Sequence, residues 1–278
     1  MNNPTNFITL TAGQYYRQYF TEFRGDEGHD KLIEGLKKFV QVNEDEKGKK
    51  IFGIDVGTCI GKYLPNYKEV CKNENLNIIA FEPNPVNINS LVKNNEYYNF
   101  NNYRLYTCGL SNIKGKSGFF NSESYGEWNP ASNGGAGLTC KGEKIGEIEI
   151  TTLDDILKDE KDYIIKFIKI DVEGQDTKVI KGMGKTLDYV KYLIFECSDC
   201  LYDHRGPGIP NPTQDIVEYL DQKGFDTYKI GTKKLLKMNH PHWDPVFDEI
   251  RFHANCFSIK KEDNIINELI DTNFNYIY

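Results

Sequence analysis

The sequence predicts an α/β fold, a mostly parallel sheet with helices on both faces, preceded by an N-terminal helical extension. Two observations carry this. From Ile51 onward, short apolar runs alternate with segments of helical periodicity, the pattern of successive βαβ units. The first run, IFGIDVGTCIGKY at residues 51–63, ends on Asp55 and passes Gly57 and Gly61 before a helical pattern starts, so a strand feeds a tight turn and then a helix.

The elements follow in order. Residues 1–28 hold aromatic clusters such as QYYRQYF without a sustained period, interrupted by Gly25, Asp26 and Gly28. Leu32, Ile33, Leu36, Phe39 and Val40 fall at helical spacing and predict an amphipathic helix over 29–42. NEDEKGKK then reads as a solvated linker. This gives an extension at 1–48, a main domain at 49–262 and a C-terminal tail at 263–278. Strands are predicted at 51–55, 77–82, 103–108, 164–170, 191–196 and 252–259, and helices at 61–73, 85–94, 153–159, 176–187 and 213–223. Thr152 with Asp155 resembles a capping box, Thr213 is placed to cap the helix after Pro212, and Gly224 sits where a helix ends. Residues 117–150, rich in Gly, Ser and Asn, break the rhythm and read as a long insertion that supplies a substrate loop.

Composition narrows the classes. The 278 residues have 39% hydrophobic content and a net charge of −7, with basic residues interspersed among acidic ones. That disfavours a non-specific nucleic-acid binder while leaving a local basic groove open. The sequence contains no 20-residue apolar run and no signal-peptide core near Met1, so no membrane span and a cytoplasmic location are expected. Seven cysteines at irregular spacing suit reduced thiols better than a disulfide framework.

Chemistry concentrates at the strand ends. Asp55, Glu82, Asp171 and Glu196 each close a predicted strand, and in an open parallel sheet ligands bind beyond the carboxyl ends at the switch point. The turn reads Asp-x-Gly-x-x-x-Gly, which lacks the dinucleotide glycine spacing and sets an acid where a pyrophosphate would be repelled. S-adenosylmethionine, with an ammonium, a sulfonium and a ribose diol but no phosphate, fits that turn. Glu82, at the end of the next strand, is placed to accept both ribose hydroxyls.

The stretches IDVGTCIGKY, IIAFEPNPVNINSLVKNN, NYRLYTCGLSNIKGKSGFF, TTLDDIL and FIKIDVEGQDTKVIKGM followed by YLIFE resemble, in order and spacing, FkbM-type S-adenosylmethionine-dependent methyltransferases. The resemblance implies a Rossmann-like class I methyltransferase domain with a seven-stranded sheet, and O-methylation as the commonest chemistry. It implies that Asp55, Gly57, Thr58 and Gly61 form the methionine-side turn. It places Glu82 on the ribose beside Pro83 and Asn84, Gly109, Leu110 and Ser111 near the adenine edge, and Asp171 by the sulfonium. Thr58-Cys59 and Gln175-Asp176 depart from the usual Ala-Asn and Ala-Glu, without removing a charge or a glycine that the site needs.

An alcohol acceptor must lose a proton, and the candidate bases are Asp171, Glu173, Glu196 and His204, with Asp171 or Glu173 preferred. Asp171, Glu196 and Asp199 have hard oxygen ligands suited to a divalent cation. Cys197 and Cys200 read as structural thiols, and His240 with His242 as a surface or substrate loop. Tyr125 and Trp128 in the insertion, and CLYDHRGPGIPNP after the fifth strand, are expected to overhang the crevice. The acceptor expected is a small molecule or a glycan hydroxyl, met by a monomer or weak homodimer. The rivals are an RNA ribose 2′-O-methyltransferase, with Lys62, Asp171, Lys237 and Glu249 as its tetrad, and a non-catalytic binding subunit on the same fold.

Overall fold

The computed structural model describes residues 10–36, 40, 46–70, 76–98, 102–120, 137–138, 142–197, 213–250, 254–267, 269 and 275–277. Its elements in chain order are α1 (Ala12–Tyr19), α2 (Glu27–Leu36), β1 (Lys50–Val56), α3 (Leu64–Val70), β2 (Leu76–Phe81), α4 (Pro85–Tyr98), β3 (Tyr103–Tyr106), β4 (Gly109–Leu110), β5 (Gly115–Phe120), β6 (Lys144–Thr151), α5 (Leu153–Ile156), β7 (Tyr163–Ile170), α6 (Asp176–Lys181), β8 (Val190–Glu196), α7 (Thr213–Gln222), β9 (Phe225–Ile230), β10 (Lys234–Lys237), α8 (Val246–Glu249), β11 (Asn255–Lys260) and β12 (Asn275–Ile277).

Among the described residues the main sheet has nine strands in the order β12-β10-β9-β11-β8-β7-β1-β2-β3. The run β3-β2-β1-β7-β8 is parallel throughout, and β11 enters antiparallel between β8 and β9. These seven strands make the expected Rossmann-like class I methyltransferase sheet, while β10 and β12 extend its edge beyond the seven predicted. Strand order reverses between β1 and β7, so the ligand crevice of such a sheet lies beyond Val56 and Ile170. The central strands are apolar along nearly their whole length because both faces are covered. One face carries Phe52, Ile54 and Val56 against α6 and α7. The opposite face carries Ile51 and Ile78 against α2, α3 and α4.

Several expectations are corrected. Residues 1–28 contain α1, started by a Thr11–Gln14 capping box, and its Tyr16 with Phe23 is buried in the core. The signal was that box, concealed by the aromatic run. The predicted helix at 29–42 begins earlier, at Glu27. The ends of the 117–150 insertion are strands, since β5 and β6 pair antiparallel and β6 pairs with β4 in a separate sheet; their polar alternation leaves one face in water. Part of the predicted tail is β12, paired parallel with β10. Thr152 does cap α5, accepting from Asp155 N at 3.1 Å, but the helix stops at Ile156. Thr213 is the first residue of α7, and Asp248 from α8 caps it through Thr213 N (2.9 Å) and Gln214 N (3.3 Å). Gly224, at φ +81°, ends that helix as expected.

Candidate functional site

The turn after β1 is fixed by backbone geometry. Gly57 and Gly61 have φ of +76° and +86°, the left-handed region that glycine enters freely. At Gly57 space is also decisive, because a Cβ there would sit 1.8 Å from the Asp171 carbonyl oxygen. The loop is stitched to both neighbouring strands: Gly57 N and Thr58 N donate to the Phe81 carbonyl at 2.9 and 3.2 Å, and Asp171 N donates to the Val56 carbonyl at 3.0 Å. The β1 turn and the end of β7 are thus locked together at the switch point.

Glu82 closes β2 and is buried. Its Oε2 accepts from Cys59 N at 2.8 Å, and its Oε1 accepts from Asn84 N at 2.9 Å and Asn87 Nδ2 at 3.3 Å. Burial pushes its pKa up, against those N–H donors and the nearby Lys169. A carboxylate offers about four lone-pair positions, so three protein donors leave room for about one ligand hydroxyl where the sequence suggested two. Asn84 is fully buried, and its Nδ2 has no hydrogen-bond partner among the described residues. Its Oδ1 accepts from Val86 N at 3.1 Å and starts α4, with Pro85 as the first helical residue. Pro83 lies between these two side chains in sequence.

Lys169 was not singled out by sequence reasoning, although a lysine inside the apolar run YIIKFIKI signals a buried charge that needs partners. Its Nζ lies 3.5 Å from Asp55 Oδ1, 3.4 Å from Asp171 Oδ2 and 3.3 Å from the Gly57 carbonyl oxygen. Burial alone would lower its pKa, but Asp171 and Asp55 outweigh it and hold the amine well above its ordinary range. Asp55 is buried, paired through Oδ1 with Lys169 and facing the Tyr67 phenol, and the buried Thr58 hydroxyl beside it in the turn faces Tyr103. The Tyr67 phenol, buried and next to Asp55, is held far above its usual pKa and stays protonated.

The remaining predicted residues are placed as follows. The Asp171 side chain is 42% exposed, so it is the open acid of the rim. Glu173 and Gly174 have φ of +55° and +85° and turn the chain into α6. Glu196 is buried at the end of β8. Gly109 and Leu110 are paired in β4, just beyond the end of β3, whose Tyr106 carbonyl accepts from Glu82 N at 3.1 Å. Ser111 N donates to the Thr151 carbonyl at 2.8 Å. Among the described residues no group of three or more His, Cys, Asp or Glu side chains is arranged to hold a metal ion. Asp199, Cys200, His204, Tyr125, Trp128 and the 200–212 loop lie outside the described residues.

The tetrad imagined for RNA is not assembled. Lys237 pairs with Asp226 at 2.7 Å, near the start of β9 and thus at the amino side of the parallel strands, away from Asp171. Glu249 pairs with Arg17 at 3.1 Å.

Residues 55–227 match the sequence profile of the family described as the methyltransferase FkbM domain. A curated relative, the hexuronic acid methyltransferase AglP of Haloferax volcanii, is 31% identical over 144 residues, which are 51% of this chain and 54% of that protein. The chain thus spans about half the length of the curated relative it matches. Among solved structures, a methyltransferase FkbM from Methylobacillus flagellatus KT is 14% identical at a TM-score of 0.47, covering 89% of this chain and 52% of that one. SMU.1697c of Streptococcus mutans, solved with SAH, is 12% identical at a TM-score of 0.44, covering 84% of this chain and 97% of that one.

Proposed function

The chain belongs to the FkbM methyltransferase family, and from that premise we propose that it methylates a sugar or glycan hydroxyl using S-adenosylmethionine. The observation that carries the reading is Glu82: a buried carboxylate at the end of β2, held by the Cys59 and Asn84 backbone amides with about one acceptor position spare. The chain's residues fit that cofactor. Asn84 Nδ2 is a buried polar atom lacking a hydrogen-bond partner among the described residues, and a group of this kind is retained where a ligand satisfies it. Two acids, Asp55 and Asp171, share one Lys169 ammonium, so the rim keeps an excess of negative charge suited to a cationic ligand.

In this reading Glu82 and Asn84 hold the ribose, and Pro83 fixes the chain between them. Asp55, Thr58 and the Gly57–Gly61 turn take the amino-acid end, and the segment Gly109, Leu110, Ser111 flanks the adenine. When bound, S-adenosylmethionine supplies a methyl carbon already activated by its sulfonium. What is left for the protein is alignment of the attacking oxygen at about 3 Å, exclusion of water and removal of one proton. Asp171 is the open acid where an acceptor arrives, with Glu173 and Glu196 on the same rim. The similarity to the Haloferax volcanii hexuronic acid methyltransferase supports a hexuronic acid as the acceptor class.

Calorimetric titration with S-adenosylmethionine and, separately, with NAD tests the cofactor. Binding of the former alone is expected, and binding of neither would reject the reading. Transfer of labelled methyl groups to a glucuronic-acid oligosaccharide, with a capped RNA as the competing acceptor, then tests the acceptor class.

A further inference from the structure

Helix α2 brings to the crevice a histidine that the site described above does not use. His29 is 3% exposed and lies in the N-terminal extension, outside the residues 55–227 that define the family match. Tyr63, just beyond the Gly57–Gly61 turn, places its hydroxyl 2.8 Å from Asp30 Oδ1 and 3.1 Å from His29 Nδ1. Lys62 holds the same Asp30 carboxylate at 3.1 and 3.2 Å.

The proton count fixes the tautomer. A phenol has one proton, and an ionised carboxylate only accepts, so the Tyr63 proton goes to Asp30. His29 Nδ1 must then donate to the phenol oxygen, which leaves the lone pair on Nε2. That atom is buried and has no hydrogen-bond partner among the described residues. A buried bare acceptor is costly and marks a position made for an incoming donor. The charged groups that face the ring are Lys169, Asp26, Asp171 and Asp30. Lys169, whose Nζ also lies 5.5 Å from the Tyr63 ring centroid, is the cation that joins Asp55 to Asp171.

We propose that His29 is the catalytic base: Nε2 accepts the hydroxyl proton of the acceptor, and Tyr63 and Asp30 are positioning residues that hold the tautomer. The inference rests on the methyl-transfer reading above. In the step, the acceptor oxygen bonds to the methyl carbon while the carbon–sulfur bond breaks, its electron pair staying on sulfur. The hydroxyl proton passes to Nε2, and the resulting imidazolium returns it to solvent. Burial and Lys169 push the ring's pKa down to about 4, against Asp26, Asp171 and Asp30, so its lone pair is available at neutral pH. So weak a base takes the proton late, once the oxygen has begun to bond to carbon and its proton has become strongly acidic.

The test is nitrogen NMR of the full chain carrying 15N-histidine, first alone and then with S-adenosylhomocysteine and methyl glucuronide as the acceptor probe. His29 is expected as the neutral Nδ1–H tautomer at pH 7, with its Nε2 resonance moving when methyl glucuronide is added. An Nε2–H tautomer, an imidazolium at pH 7, or an Nε2 signal unmoved by an acceptor that the wild type methylates would overturn the proposal. His29→Gln and His29→Phe are expected to keep S-adenosylmethionine affinity within about twofold and to lower kcat about 100-fold or more; wild-type kcat in either overturns the base. Tyr63→Phe is expected to mix the tautomers and lower kcat with KM unchanged. Failure of the wild type to bind S-adenosylmethionine rejects the methyl-transfer reading instead, and the tautomer of His29 is decided by the same spectra in either case.

Discussion

Lys166 and Lys169 are both buried in β7 and both ion-paired, yet they close different kinds of site. Lys166 contacts Glu46, and Lys191 holds the same carboxylate at 2.8 Å. Glu46 is fully buried; two cations share one acid inside the protein. Lys169 inverts this arrangement, with two acids on one cation and the Asp171 side chain 42% exposed. The first cluster joins the segment before β1 to β7 and β8. The second keeps an excess of negative charge at the strand ends. A buried charge alone therefore does not mark a functional site: each cluster keeps one unbalanced charge, and what separates the two is its sign and the exposed Asp171 at the carboxyl ends of the strands.

The largest test breaks the closed cluster. Lys166→Met leaves Glu46 buried with one cation fewer, and removing one partner of a buried pair destabilises by about 3 to 5 kcal/mol. Urea unfolding should show a loss near the lower figure, because Lys191 remains, and the folded fraction should bind S-adenosylmethionine with unchanged affinity. A drop in affinity would mean that the two clusters act as one.

The next test sets pH against the open site. His29 is held neutral down to about 4 against an ordinary value of 6.5. Its folded pKa is depressed, so between those values the unfolded chain binds more protons and stability falls with falling pH. The contribution is fully present above pH 6.5 and lost as pH drops through about 4, a span worth about 3 kcal/mol. His29→Phe should flatten that part of the stability profile, and an unchanged slope would show that the ring is not buried neutral.

A smaller loss is expected at the ribose position. Glu82→Ala should weaken S-adenosylmethionine binding by about 1 to 3 kcal/mol, the scale of charge-assisted hydrogen bonds. Part of that loss comes from freeing the Cys59 and Asn84 amides that Glu82 holds. Glu82→Gln, which keeps one acceptor oxygen, should fall between the wild type and Ala, and equal calorimetric affinity in all three would remove Glu82 from the ribose role.

How much of this was legible before folding depended on whether partners were near in sequence. Asp55, Gly57 and Gly61 were readable because the turn is local, and Glu82 and Asp171 because each closes an apolar run. Asn84 was readable as a neighbour of Glu82. Lys169 was hidden although Asp171 lies two residues on, because its second acid, Asp55, comes from the remote β1 and only the fold sets both acids on one ammonium. His29 was hidden for the same reason: its partner Tyr63 is remote, and the tautomer argument needs the 3.1 Å contact between them. Six strands escaped notice: β5, β6 and β12 because edge and side-sheet strands bury too little for an apolar run to reveal them, β4 because it has two residues, and β9 and β10 because their buried apolar residues are broken up by Asp, Thr and Lys.

The smallest effect separates the two partners of Asp30. Lys62 and Asp30 are 55% and 46% exposed at the side chain, so their pair is screened, and Lys62→Ala should change stability by about 0.2 to 1 kcal/mol. Lys62 was also the one basic residue of the imagined RNA tetrad on the Gly57–Gly61 turn side. If Asp30 acts by taking the Tyr63 proton, its carboxylate keeps that role without Lys62, and the His29 tautomer seen by nitrogen NMR should not change. Tyr63→Phe, which removes the hydroxyl but keeps the ring, should change the tautomer. An altered tautomer in Lys62→Ala would place the ammonium within the proton relay, and salt-dependent RNA binding lost in the same variant would reopen the nucleic-acid reading.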